Sequence, residues 1–100
     1  MWFILKIKLS SKVLKHIIDR HPEVAGYTRK IVETVQNPDV IVKGLRGEFK
    51  ALKFYSDLHI GPKYLVVVYR EIGKEKVIIT AYFTSKLARV KGEIIWRKPQ

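Results

Sequence analysis

The stretch from Tyr64 to Thr84, YLVVVYREIGKEKVIITAYFT, constrains the chain more than any other. Leu65, Val66, Val67 and Val68 form an unbroken aliphatic run, rich in β-branched residues, which suits a central strand that is apolar on both faces. Ile72-Gly73-Lys74-Glu75-Lys76 supplies a polar reversal in which Gly73 can take a positive φ. Beyond it the side-chain period of two puts Val77, Ile79, Ala81 and Phe83 on one face, and Ile78, Thr80, Tyr82 and Thr84 on the other. The stretch therefore predicts an antiparallel hairpin with one core face and one row of hydroxyls, which the rest of the chain must cover or flank.

Around this hairpin the order of elements is legible. Trp2 to Leu9 alternates as a first strand, with Lys6 and Lys8 marking a partly wet edge. Ser10 or Ser11 caps a helix to about Arg20 whose buried stripe is Val13, Leu14, Ile17 and Ile18, with Lys12, His16 and Arg20 along one border. His21-Pro22-Glu23 breaks and restarts the helix, because Pro disfavours the α conformation at His21 yet fits a first helical position. A second helix, 23–36, buries Val24, Tyr27, Thr28, Ile31 and Val35 and stops at Asn37-Pro38-Asp39. Strands follow at Val40 to Val42 and Phe49 to Tyr55, the latter with Phe49, Ala51, Lys53 and Tyr55 on one face and Lys50, Leu52 and Phe54 on the other. Ser85 to Lys91 reads as a basic turn or short helix, and Glu93 to Arg97 as a last strand. Two helices followed by a meander of strands predict a single α+β domain over residues 1–100, with both helices on one face of an antiparallel sheet of four to six strands.

Charge narrows the function. The chain carries 20 Lys and Arg against 9 Asp and Glu, a formal +11 on 100 residues, so its surface seeks a polyanion. The aromatic content, 11%, favours nucleic acid, since exposed bases stack on aromatic rings. An anionic membrane ranks behind, for want of a basic amphipathic helix. With no Cys there is neither a disulfide nor a thiolate zinc site, and the apolar start, broken by Lys6 and Lys8, is too short to span a membrane; a cytoplasmic protein is expected. No phosphate loop, dinucleotide fingerprint or metal-ligand spacing is present, so no cofactor and no metal are expected.

The remaining chemistry is that of His, Arg, Lys, Thr and Tyr, the groups needed for metal-independent cleavage of RNA, in which the substrate's own 2′-hydroxyl is the nucleophile. Candidate catalytic residues are His21, Arg20, His16, Arg70, Thr80 and Tyr82, and candidate nucleic-acid contacts are Lys12, Arg46, Lys50, Lys53, Thr84, Lys86 and Arg89. His59, in the polar connection from Ser56 to Pro62, reads as incidental.

The segments Arg20-His21-Pro22-Glu23-Val24, Asn37-Pro38-Asp39, Tyr64-Leu65-Val66-Val67-Val68 and Ile79-Thr80-Ala81-Tyr82 together resemble the small nuclease-like domains grouped with barnase, EndoU, the RNase colicins and the RelE toxins. That resemblance, spanning about His16 to Thr84, implies a helical part followed by an antiparallel sheet. It implies a metal-independent ribonuclease of the toxin type, with Arg20 or His21 and Thr80 or Tyr82 in the site and RNA, a protein antitoxin or a second copy as partners. Two other functions fit the residues: a basic domain that binds nucleic acid without cutting it, and a protein-interaction module that docks through an apolar sheet face. If the helices cover the face of Val77, Ile79, Ala81 and Phe83, the hydroxyl row points to the other face, and His21 must reach Thr80 and Tyr82 around a sheet edge. The apolar residues of 65–68 on that second face also call for a covering element, such as the C-terminal strand or a second copy.

Overall fold

A computed structural model describes residues 6–99. Part of the expected first strand, residues 2–5, lies outside them. The elements are β1 (Lys6–Lys8), α1 (Ser11–Arg20), α2 (Thr28–Gln36), β2 (Val40–Lys43), β3 (Phe49–Tyr55), β4 (Lys63–Ile72), β5 (Glu75–Thr84) and β6 (Glu93–Arg97), with short 3-10 turns at Pro22–Val24 and Leu87–Arg89. The six strands make one sheet in the order β1-β5-β4-β3-β2-β6. The α+β architecture expected from the residue pattern is present, with β4 and β5 as the predicted antiparallel hairpin near its centre.

Helix α1 begins where its cap dictates: the Ser10 hydroxyl accepts the Val13 N–H at 3.1 Å, satisfying one of the amides a helix start leaves unpaired. It packs on β5, and α2 packs on β3 and β4. Ile17, Val24, Ile31 and Val35 from the helical part meet Ala51, Leu65, Val67, Tyr69, Ile78 and Ala81 of the sheet, all buried. At roughly 1.5–3 kcal/mol for each large aliphatic side chain fully removed from water, this layer is the main source of stability.

Three features depart from expectation. First, the sheet is mixed, since β1 runs parallel to β5, pairing Lys6 with Glu75 and Lys8 with Val77. Second, the helix expected over 23–36 is divided. Pro22–Val24 forms only a 3-10 turn, and α2 starts at Thr28, because Gly26 adopts φ +87 and breaks the α path. Third, the pairing of β4 with β5 slips between Val68↔Thr80 and Tyr69↔Ile78, leaving Ile79 as an extra, bulged residue. The bulge reverses the alternation of the first half of β5. Ile78 is 1% exposed and takes the core position expected of Val77 and Ile79, while Ile79 is 38% exposed. Ala81 and Phe83 keep theirs.

The sheet face away from the helices has its own small core of Val40, Val42, Leu52 and Val66. Leu87 and Val90, from the segment between β5 and β6, pack against this cluster, as do Tyr64 and Tyr82. Strand β6, a candidate cover for this face, instead extends the sheet beside β2 as its outer strand. The crossing segment is tied down at its far end, where Lys50 Nζ donates to the Lys91 carbonyl at 2.8 Å.

Candidate nucleic-acid interface

His21 closes α1. Its backbone N–H donates to the Ile17 carbonyl at 2.7 Å, and its carbonyl accepts the Val24 N–H at 3.0 Å. With φ −131 and ψ 73 it is no longer helical, as the following Pro22 requires. Among the described residues the pairing of β1 with β5 ends at Lys8↔Val77, five residues before Tyr82. The ring comes to rest on Tyr82, 5.7 Å between centroids and tilted by 37°. His21 Nδ1 lies 3.5 Å from Glu23 Oε1, while Nε2 has no partner among the described residues. The carboxylate can thus orient the imidazole and leave the opposite nitrogen for proton transfer.

Tyr82 belongs to the face away from the helices, packed beside Leu87 and Val90 and paired across the sheet with Val66. Burial pushes its phenol above the usual tyrosine range, so at neutral pH it is a hydroxyl that can donate. Thr80 follows on the same face two residues earlier, opposite Val68, and Val68 in turn lies beside Lys50. Arg70 is on this face too, but about four residues along β4 from Val66, or roughly 13 Å at 3.3 Å per residue. The order along the face is therefore Tyr82 with its imidazole, then Thr80 and Lys50, then Arg70.

Arg70 is also a loop anchor: its Nη1 donates to the Arg46 carbonyl at 2.9 Å. Glu48 shapes the same loop by accepting the Arg46 N–H at 2.9 Å, a bond that with others from the backbone holds its carboxyl below the usual range. Arg46 and Arg70 thus stand together at one end of the face. Lys86 and Arg89, both exposed, lie on the crossing segment, whose Leu87 and Val90 pack against the same cluster as Tyr82.

Other candidates lie elsewhere. His16, Arg20 and Lys12 are exposed along α1, and no side-chain contact joins them to Tyr82. Lys53 is on the helix side, where its ammonium donates to the Asn37 carbonyl at 3.0 Å and faces Asp39 at 4.0 Å, which secures the end of α2. Thr84 is buried and spends its hydroxyl on the turn, donating to the Lys86 carbonyl at 3.3 Å and accepting the Lys86 N–H at 3.4 Å. His59, read from sequence as incidental, pairs with Tyr27: Nδ1 and the phenol oxygen are 2.9 Å apart. Tyr27 in turn meets Phe83 edge to face at 5.4 Å. No local spacing announces that pair, whose partners are brought together by the fold alone.

Among the described residues no group of His, Asp and Glu is arranged to hold a metal ion, and no helix is long and apolar enough to cross a membrane. Ion pairing is sparse. Among the described residues Lys53 and Asp39 face each other at 4.0 Å and His21 meets Glu23 at 3.5 Å, few contacts beside a formal charge of +11. Comparison with known proteins finds no matching family model, no matching curated protein and no matching solved structure.

Proposed function

We propose that this protein is a small metal-independent ribonuclease of the toxin type, working at the sheet edge where His21 meets Tyr82. The observation that carries the reading is that contact, 5.7 Å between ring centroids, which joins a helix-corner imidazole to a hydroxyl-bearing strand on the far face of the sheet. The resemblance of Arg20-His21-Pro22-Glu23-Val24 and Ile79-Thr80-Ala81-Tyr82 to nuclease-like domains supports it, because these are the segments from which that group draws its site.

In this mechanism His21 Nε2 takes the proton of a ribose 2′-hydroxyl as its oxygen attacks the adjacent phosphorus. The P–O2′ bond forms and the P–O5′ bond breaks. The departing 5′ oxygen takes a proton from water, leaving a 2′,3′-cyclic phosphate and a 5′-hydroxyl, and the imidazolium returns its proton to the hydroxide so formed. Tyr82 and Thr80 donate to the non-bridging oxygens, and Arg89 and Lys86 on the crossing segment, with Arg70 along the face, offset the charge of the phosphorane. Glu23 holds the imidazole in orientation through Nδ1.

The test is incubation of varied RNAs with wild type and His21→Ala in excess chelator. Cleavage by wild type to cyclic-phosphate ends, lost in the variant, is the expected result. Wild type that binds RNA and leaves it intact would replace this reading with a non-catalytic RNA-binding domain.

A further inference from the structure

The crossing segment leaves one corner of the second sheet face uncovered, and that corner is aromatic. Phe54 on β3 is 46% exposed. It stands opposite Tyr64 on β4, with 5.2 Å between ring centroids and a 65° tilt. Tyr64 is held from behind by the small core beneath Leu87 and Val90, so Phe54 leans on a fixed ring and keeps much of its own surface in solvent. Neither residue belongs to the His21–Tyr82 site.

Beside this pair lies a surface depression of about 270 Å³ lined by Asp39, Val40, Arg97, Lys98 and Pro99. It adjoins Phe54 through Asp39, whose Oδ2 accepts the Phe54 N–H at 2.9 Å. The backbone around it is fixed on both sides, Asp39 N–H donating to the Leu52 carbonyl and Lys98 N–H to the Asp39 carbonyl, each at 2.8 Å. Asp39 is the acidic group of the depression, and its carboxylate is engaged by the Phe54 N–H and by Lys53. The side chains of Arg97 and Lys98 have no ion pair or hydrogen bond among the described residues. An exposed ring linked through Asp39 to a depression with two cations that have no side-chain partner among the described residues matches the two parts of a nucleotide, a base that stacks and a phosphate that needs positive charge.

We infer that Phe54, backed by Tyr64, and the Arg97–Lys98 depression form a subsite for one unpaired nucleotide of single-stranded RNA, with the base on Phe54 and a phosphate at Arg97 and Lys98. The inference rests on the reading of the protein as an RNA-binding nuclease and deepens it. It gives the protein a preference for unpaired over duplex RNA, because a base within a helix has both faces covered by its neighbours. The subsite lies across the crossing segment from Tyr82, so a strand that fills it passes the basic side chains of that segment before reaching the imidazole.

The experiment measures affinity of the full chain for a short single-stranded oligoribonucleotide, blocked at every 2′-hydroxyl by methylation, and for a blunt duplex of the same sequence. Phe54→Leu keeps an apolar group of similar size and removes the π face. It should weaken single-strand binding about thirty-fold, the middle of the range for loss of one base–aromatic stack, and leave duplex binding unchanged. A double variant, Arg97→Gln with Lys98→Gln, should weaken binding and flatten its salt dependence by one phosphate's worth, a slope change of about 0.7. Equal single-strand affinity for wild type and Phe54→Leu, or equal loss on both substrates, overturns the subsite. Because the methylated strand cannot be cut, these binding results are independent of catalysis. An unmethylated strand that is bound through Phe54 and never cleaved would sink the nuclease reading alone, whereas cleavage indifferent to Phe54→Leu would sink the subsite alone.

Discussion

The His21 ring meets that of Tyr82 at 5.7 Å, tilted by 37°, although the two residues come from different sides of the sheet, one from the end of α1 and the other from the face that the helices do not cover. Two local facts bear on the contact: Pro22 ends the α conformation at His21, and among the described residues the pairing of β1 with β5 runs only to Val77. If this contact is the working centre, His21→Ala should lower RNA cleavage by about 10² to 10⁴, as expected for a lost proton-transfer group, while thermal stability falls by about 1 kcal/mol for the loss of a half-buried side chain. Tyr82→Phe, which keeps the ring under His21 and deletes the hydroxyl, should lower turnover by a smaller factor and leave RNA affinity intact. Comparable turnover of His21→Ala and wild type would remove the imidazole from the mechanism.

Binding should be steeply dependent on salt. Each phosphate neutralised by a Lys or Arg releases condensed counterions, with a slope of about −0.7 per contact on a single strand. Lys86→Gln and Arg89→Gln, on the crossing segment, should each reduce that slope by roughly one contact's worth. His16→Ala, out on α1, should leave it unchanged. Affinity that stays constant between low and near-physiological salt would exclude phosphate recognition as the source of binding.

Where a signal was local, the chain declared it. Ser10 and the apolar stripe of Val13, Leu14, Ile17 and Ile18 define α1 at Ser11–Arg20, and alternation defines β3 at Phe49–Tyr55 and the faces of Lys50, Leu52 and Phe54. Strand direction is not a local property, and so nothing in Lys6-Ile7-Lys8 announces that β1 pairs in parallel with β5. The bulge at Ile79 is equally silent, because Val77-Ile78-Ile79 is apolar throughout and either phase would bury an aliphatic residue. For the site, His21 and Tyr82 could each be nominated from residue type and position. Their meeting, like the Phe54 corner, which depends on where Leu87 and Val90 settle, is a tertiary outcome.

A pH prediction follows from the buried tyrosines. Tyr55 donates to Glu33 Oε1 at 2.7 Å beneath α2, and burial, reinforced by that carboxylate, raises its phenol well above the usual range. Burial likewise pushes Tyr69 up to about 12, with Glu71 adding to the effect. A folded value above the unfolded one means that the stabilisation is complete below the unfolded pKa of about 10 and is lost as pH rises through the folded value. Unfolding midpoints in denaturant should therefore fall above about pH 10. Tyr55→Phe should cost about 1 kcal/mol at pH 7 by removing the hydrogen bond, and should make the alkaline decline shallower. Parallel alkaline limbs for variant and wild type would refute the assignment.

The crossing segment depends on a glycine at its end. Gly92 has φ +129, a conformation L side chains rarely adopt, and a Cβ there would fall against the Lys43 carbonyl oxygen and within 2.7 Å of Val42 Cγ1. Both obstacles belong to β2, the strand that β6 joins immediately afterwards, so the chain must pass this close for Glu93 to pair with Lys43. Gly92→Ala should then destabilise by about 2 to 4 kcal/mol, combining backbone strain with displacement of packed atoms. Gly26→Ala is the appropriate comparison, because φ is +87 there and nothing lies within 4 Å of the added Cβ. It should cost only the conformational part, about 1 kcal/mol. Chemical denaturation of both variants separates the effects: a Gly92→Ala loss no larger than that of Gly26→Ala would mean that the approach to β2 relaxes freely. A larger loss, accompanied by greater exposure of the Val66 and Leu52 cluster to a hydrophobic dye, is expected, because the turn bearing Leu87 and Val90 has no other fixed point between Lys91 and β6.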